Sequence, residues 1–452
     1  MLAAWGLVAL AALSRYGGRN IFEHFQERQL THGPLQKDLD DNINFSPDGH
    51  FIVFDCRDEK GINGNSRLGK VDVRTGETTV FYTQKLPALG VGAASFLNNQ
   101  EVIAIHALTN GLLYDFTVRG GMIIAADGSG KTHWLDSRDI TPPFTPGALR
   151  GGTHKHEPDA TGEWIGFTYN DHIMKTERSS DLRNVGVSHR GRRIPVHADA
   201  QGRNFEGESF SVLLTACVDN PRPGSDEYQR AEGDCWVGST GYLTAEGKRQ
   251  RARAFRGTVA VDENGKTAYY SEVFVVDVPA DITVPGPLGP LEGTETDYPK
   301  PPKGAVVRRL THTATNSEPS LRGVSGHIRA SGGGKWIAFV GKALREGVVE
   351  DQLFCVSPSS GQIRQLSNIP GGVIGDPRFS PDSKYVVIFG ADGSIYMVSA
   401  VAKSWGHATH CTSSNKNLPL NLVISPDSKT IAYNREIDGV MQVFVTGPVG
   451  QK

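Results

Sequence analysis

Short runs of alternating apolar and polar residues recur along the chain, and several open on the same turn. "FSPDGHFIVF" (45–54), "FSPDSKYVVIF" (379–389) and "ISPDSKTIAY" (424–433) are three copies of one unit. In each, Pro-Asp-Gly/Ser makes a tight turn and the alternating residues after it form a strand. "EPDATGEWIGF" (157–167) and "RASGGGKWIAF" (329–339) are degenerate copies in the same register, and "SFLNNQEVIAI" (95–105) is a weaker one. Each is followed by further strand–turn–strand patterns, as in "KVDVRTGETTVFYT" (70–83), "GMIIAADGSGKTHWL" (121–135) and "QLFCVSPSSGQIRQLS" (352–367).

Short strands at such regular spacing predict the four-stranded blades of an all-β propeller. Seven blades are expected, beginning near residues 41, 91, 153, 208, 326, 375 and 420, with six or eight as the alternatives. The seventh lacks a last strand. The N-terminal "FEHFQERQLT" (22–31) resembles the final strands "AVVRRLTHT" (305–313) and "QIRQLS" (362–367), so it is expected to complete that blade and close the ring. Closure removes exposed sheet edges. Residues 20–452 are then a single propeller domain, and the Pro/Gly-rich stretch 279–303 is a long surface loop within blade four.

A net charge of −2 gives no support to a nucleic-acid partner. Residues 1–19 open with an apolar run at 2–13, shorter than the roughly 20 residues a membrane-spanning helix needs. The segment reads as a signal for export to the periplasm or beyond; if it is not a signal, the chain is cytoplasmic. No later stretch reads as transmembrane, so an integral membrane protein is not expected. Cys217 and Cys235 flank a polar loop, which a disulfide would close; two free thiols are the alternative. "AADGSGKT" (125–132) matches a relaxed phosphate-loop pattern, but the Pro-rich "HWLDSRDITPPF" that follows cannot supply the required helix. It reads as a hairpin turn, and no nucleotide is expected.

In a propeller, loops leading into the inner strands share a face with loops joining second and third strands. Aligned on the turns, Asn42, Lys155, His327, Asp376 and Asn421 form a polar ring at the channel mouth. His154 sits beside it, whereas His156 falls in an apolar register and reads as a core residue. Blade three's upper loop brings Asp171, His172 and Arg183 to the same face, blade two's brings His106, Tyr114 and Asp115, and Arg150 precedes blade three. Imidazole and carboxylate can hold a divalent ion, His or Tyr can move protons, and Arg can grip a carboxylate. Together these match the needs of uronate β-elimination.

The chain resembles a TolB-like propeller family often labelled "biopolymer transporter Tol". The resemblance covers most of residues 28–450 and rests on "DITPPFTPGALRGGTHKH" (139–156), "FTYNDHIM" (167–174), "DLRNVGV" (181–187), "PGSDE" (223–227) and "VVRRLTHT" (306–313). More distantly, it is similar to the oligogalacturonate lyases, seven-bladed propellers that hold a divalent metal in the funnel. The first resemblance implies a non-catalytic propeller that docks a protein or another cell-envelope partner. The second implies an exported, metal-assisted lyase acting on small acidic saccharides. The lyase is the expectation, with His154, His172 and Tyr114 as catalytic groups. Arg150, Arg183, Lys155, Asn42 and His106 would bind substrate. His154, His172, Asp171 and His327 would hold Mn²⁺ or Ca²⁺.

Overall fold

The computed structural model describes residues 25–40, 43–58, 60–85, 89–109, 113–314 and 321–447, so the signal-like segment 1–19 lies outside it. Among the described residues the strands form seven antiparallel blades and one short inserted hairpin. Blade two is built from Val91–Phe96, Glu101–Ala107, Arg119–Ala125 and Thr132–Trp134, from the channel outward. Blade three follows with Gly151–Pro158, Trp164–Asp171, Arg183–Arg190 and Ser209–Leu213. The last blade has three strands of its own and is completed by Arg28–Gln29, which pairs with Val445 and Phe444. The expected closure by the N-terminal segment is therefore present.

The repeated alternation has a simple cause: every blade is covered on both faces. In blade one, Ile52 and Phe54 pack toward Val423 and Ala432 of blade seven, while Val53 between them packs toward Val91 and Ala104 of blade two. In blade six, Val386 and Ile388 join Ala338 and Leu353 of blade five, and Val387 and Phe389 join Leu422 and Ile431 of blade seven. Each fully buried Val, Ile or Phe of this kind contributes roughly 1.5–3 kcal/mol relative to exposure.

The Ser-Pro-Asp turns share one hydrogen-bond pattern. Ser46, Ser380 and Ser425 each donate Oγ–H to an Asp two residues on, at 2.6 Å. The same Ser oxygens accept from the backbone N–H of Phe51, Tyr385 and Thr430 at 2.8–3.1 Å, which starts the second strand. The residue after Asp is left-handed in all three copies: Gly49 at φ 73°, and Ser383 and Ser428 at φ 62°.

One expected boundary is displaced. Blade four does not begin near 208; Ser209–Leu213 is the outer strand of blade three, and blade four starts with Ala231–Trp236. The 12-residue strands Ala252–Glu263 and Lys266–Asp277 obscure the usual spacing there. The 279–303 stretch is pinned by Ile282, Leu291 and Tyr298, all buried. Among the described residues, no helix is long and apolar enough to cross a membrane.

Replacing Asp382 or Asp427 with Ala removes an acceptor serving both a hydroxyl and a backbone N–H. Each substitution is expected to lower the stability to denaturant by about 1 kcal/mol, measured from the urea midpoint at constant m-value.

Candidate functional site at the channel mouth

A bulge recurs at one step of the inner strand. Ala93, Lys155, Gly233, Gly326, Gly375 and Asn421 adopt positive φ of 52°, 55°, 62°, 66°, 74° and 55°. At that step the pairing register shifts in all six blades. In blade three the pairs are His154↔Thr168 and then Glu157↔Gly166, so three residues on the inner strand advance against two on its neighbour. Blades five and six advance by four, from Ser325↔Val340 to Arg329↔Ala338 and from Ile374↔Phe389 to Arg378↔Val387. A bulge turns side chains that strict alternation would send elsewhere.

This corrects the polar ring. Lys155 and Asn421 occupy the left-handed step itself, whereas His327 and Asp376 follow it in the two longer bulges. Asn42 lies outside the described residues. His327 Nδ1 is hydrogen-bonded to Asp376 Oδ2, and the His327 backbone N–H donates to Asp376 Oδ1 at 2.6 Å. The charge of Lys155, followed by burial, lowers the His327 imidazole below its ordinary value. A Cβ on Gly233 would lie 3.0 Å from Arg256 Nε and 3.4 Å from His327 Cδ2, so blades four and five meet closely here.

A second cluster surrounds His154. Arg119 and Arg183 are the first residues of the third strands of blades two and three. Arg119 is 2 % exposed. Its Nη1 donates to the Tyr114 hydroxyl at 2.6 Å, and the rings of Tyr114 and Phe116 lie 5.6 and 5.2 Å from its Cζ. Its Nε and Nη2 are buried and have no hydrogen-bond partner. Cation–π contact offsets only part of the cost of burying a cation. Arg183 donates Nε–H to Asn170 Oδ1 at 3.1 Å and stands 3.8 Å from Glu232, which also takes Arg230 at 2.6 Å and Arg256 at 3.5 Å. Burial, then the charges of Arg119, Arg183 and Lys155, push the half-buried His154 imidazole well below its ordinary value. A neutral base thus sits in a field that favours an anion.

Other expected site residues have structural roles. Arg150 and Asp171 are 1 % and 0 % exposed at the side chain and are paired at 2.8 Å. Arg150 also donates to the carbonyls of Thr294 and Asp297, fastening the 279–303 stretch to blade three. Asp171 accepts from Tyr169 at 3.0 Å and caps the helix His172–Arg178 through the Met174 N–H at 2.9 Å. His172 Nδ1 lies 3.1 Å from Thr117 Oγ1, and burial with nearby Arg138 and Arg203 moves its imidazole down to about 4. His156 is buried, bonded to Thr153 at 2.9 Å, and packed where a Cβ on Gly121 would lie 2.7 Å from its Nε2. His106 lies between the rings of Tyr82 and Trp134. Cys217 and Cys235 are free thiols, which settles the disulfide alternative. Cys217 donates to the Arg183 carbonyl, and Cys235 is buried in the inner strand of blade four.

Sequence reading missed Arg119, Glu232 and Arg256. The repeat carried a signal for Arg119, which occupies the same strand-start position as Arg183. Glu232 was hidden by the displaced boundary of blade four.

Residues 88–205 match the family model described as "Protein of unknown function (DUF3748)". The chain is 32 % identical over 428 residues to "Uncharacterized protein YidR" of Escherichia coli (strain K12), covering 92 % of this chain and 96 % of that protein. It belongs to the YidR family. Among solved structures, an oligogalacturonate lyase in complex with manganese superposes with TM-score 0.53 at 10 % identity, over 93 % of each chain. An oligogalacturonate lyase from Vibrio parahaemolyticus gives TM-score 0.51 at 10 % identity, over 94 % of this chain and 96 % of that one. These likenesses establish the seven-bladed propeller.

The four residues expected to hold a metal do not fit one. Asp171 is occupied by Arg150, Tyr169 and a helix N–H, while His172 and His327 are bonded through Nδ1 to Thr117 and Asp376, which leaves each only Nε2 as a ligand atom. Among the described residues, no three His, Cys, Asp or Glu side chains converge as a metal site.

Replacing Arg150 with Met strands the fully buried Asp171 carboxylate and frees the Thr294 and Asp297 carbonyls. The expected loss is about 3–5 kcal/mol by chemical denaturation, with increased proteolytic cutting in 279–303.

Proposed function

We propose that the channel mouth binds the carboxylate of a uronate-containing oligosaccharide and that the protein is a β-eliminating lyase working outside the cytoplasm. The observation that carries this reading is Arg119, a buried guanidinium beside His154 whose Nε and Nη2 have no partner and are closed off from solvent, so that a carboxylate would reach them as the exposed Phe116 ring, 5.2 Å from Cζ, moves aside. A planar carboxylate complements two adjacent guanidinium N–H groups.

On this reading Arg119 and Arg183 hold the carboxylate on C5 and disperse charge onto it, which acidifies the C5–H. Lys155 adds to the positive field. His154, held neutral, takes the C5 proton as general base. The C4–O bond then breaks with formation of a C4–C5 double bond, and the Tyr114 hydroxyl, bonded to Arg119, protonates the departing O4. Charge stabilisation comes from the protein's own cations, already in place before substrate arrives.

The test is production of conjugated unsaturated uronate from galacturonate, glucuronate and alginate oligosaccharides, followed by ultraviolet absorbance. His154→Ala is expected to lower turnover by roughly 10²–10⁴-fold, and Arg119→Met by roughly 10²–10³-fold, with unchanged thermal melting. Because His154 must be neutral and its value is lowered, the acid limb of kcat/KM should fall below the ordinary imidazole value of 6.5. Activity is lost only as pH drops through that lower value. Saccharide binding without product would reduce the protein to a binding propeller, and full activity of the His154 variant would overturn the assignment.

A further inference from the structure

Two aromatic rings lie over the Arg119 guanidinium, and they are held differently. Tyr114 is tied at both ends. Its hydroxyl accepts from Arg119 Nη1 at 2.6 Å, and its ring rests on Gly90, where a Cβ would overlap Tyr114 Cδ2. Gly90 also has φ 134°, a conformation open to glycine and rare for other residues. Phe116 is 51 % exposed and has no polar atom in its side chain, and its ring centre lies 5.2 Å from Arg119 Cζ. Of the two rings, it is the one that leaves without breaking a hydrogen bond.

The backbone that carries Phe116 is fixed. Its carbonyl sits against Gly152 in the inner strand of blade three, where a Cβ would overlap it. Asp115, the residue before, accepts from Lys175 Nζ at 2.8 and 3.0 Å and from the Thr117 N–H at 3.0 Å. Thr117, the residue after, donates its hydroxyl to Asp115 at 3.1 Å, so the same oxygen accepts from His172 Nδ1–H, also at 3.1 Å. Lys175 and His172 both stand on the helix His172–Arg178, which therefore holds the turn on either side of Phe116. Lifting the turn would break these bonds together, whereas an exposed side chain changes rotamer within nanoseconds.

We infer that Phe116 is the gate of the Arg119 subsite: its ring screens the guanidinium, and rotation of that one side chain, on a turn that stays in place, admits a ligand. The gate's purpose rests on the reading of Arg119 as a carboxylate seat. Opening forfeits the cation–π contact, which a ligand must offset by its own contacts. The experiment labels the full-length protein with phenylglyoxal, an arginine-selective reagent, and follows each arginine by peptide mass spectrometry, with exposed Arg178 as the reactive reference. A closed gate leaves the open form at about a tenth of the population or less. Arg119 should therefore be labelled roughly tenfold or more slowly than Arg178 in the native protein, and regain roughly that factor in Phe116→Ala. Phe116→Leu should lie between the two, and serves where the Ala variant fails to fold. Equal labelling of Arg119 in the native protein and the variants, whether fast or slow, would overturn the gate. Trigalacturonate separates this result from the uronate reading, because it should slow labelling of the unmasked Arg119. Unmasking without such protection would keep the gate and remove the uronate assignment.

Discussion

The left-handed step in six of the inner strands decides what the channel presents. A strand that alternated without interruption would send its side chains by turns into the two apolar interfaces with the neighbouring blades. The bulges at Ala93, Lys155, Gly233, Gly326, Gly375 and Asn421 break that rule at one height of the ring. Ala, Lys and Asn hold a conformation that costs an L-residue roughly 1–2 kcal/mol, so the surrounding sheet must over-determine it. Blades five and six carry a residue more than the others at this step, and those longer bulges contain His327 and Asp376, which pair across the blade boundary.

Charge then organises the mouth. Arg253 is neutralised by Asp234 and Glu157, and Arg150 by Asp171. Around His154 the balance differs: Arg183, Arg230 and Arg256 share Glu232, and Arg119 has only a phenol and two aromatic rings. In a low-dielectric wall such an excess of cations keeps a nearby imidazole neutral and draws an anion. The same excess argues against a cation at this point, although the lyase that shares the fold was solved with manganese. One fold supports different chemistries through the residues grafted on it.

Much of the architecture was legible because it repeats. Ser-Pro-Asp turns with two-sided alternation recur often enough to place blades one, six and seven, and the likeness of residues 22–31 to other outer strands revealed the closure. Blade four was misplaced because its long hairpin and its late inner strand depart from the shared spacing. The candidate site was legible in part. His154, Lys155, Tyr114 and Arg183 were chosen from type and register, and the proposal keeps them. Arg150, Asp171 and His172 were chosen by the same logic, yet a polar residue on the right face can be taken by a helix cap or a buried ion pair, and single-chain sequence does not distinguish these fates. Arg119 does not stand out in the sequence, because its significance lies in the partners it lacks.

The central claim is that Arg119 awaits a carboxylate at the channel mouth. A crystal structure of the protein with a bound uronate trisaccharide tests it most directly. The account places a sugar carboxylate within hydrogen-bond distance of Arg119 Nε and Nη2, with His154 facing the C5 hydrogen. A saccharide bound elsewhere with Arg119 unengaged, or a protein carboxylate already seated on that guanidinium, would contradict it.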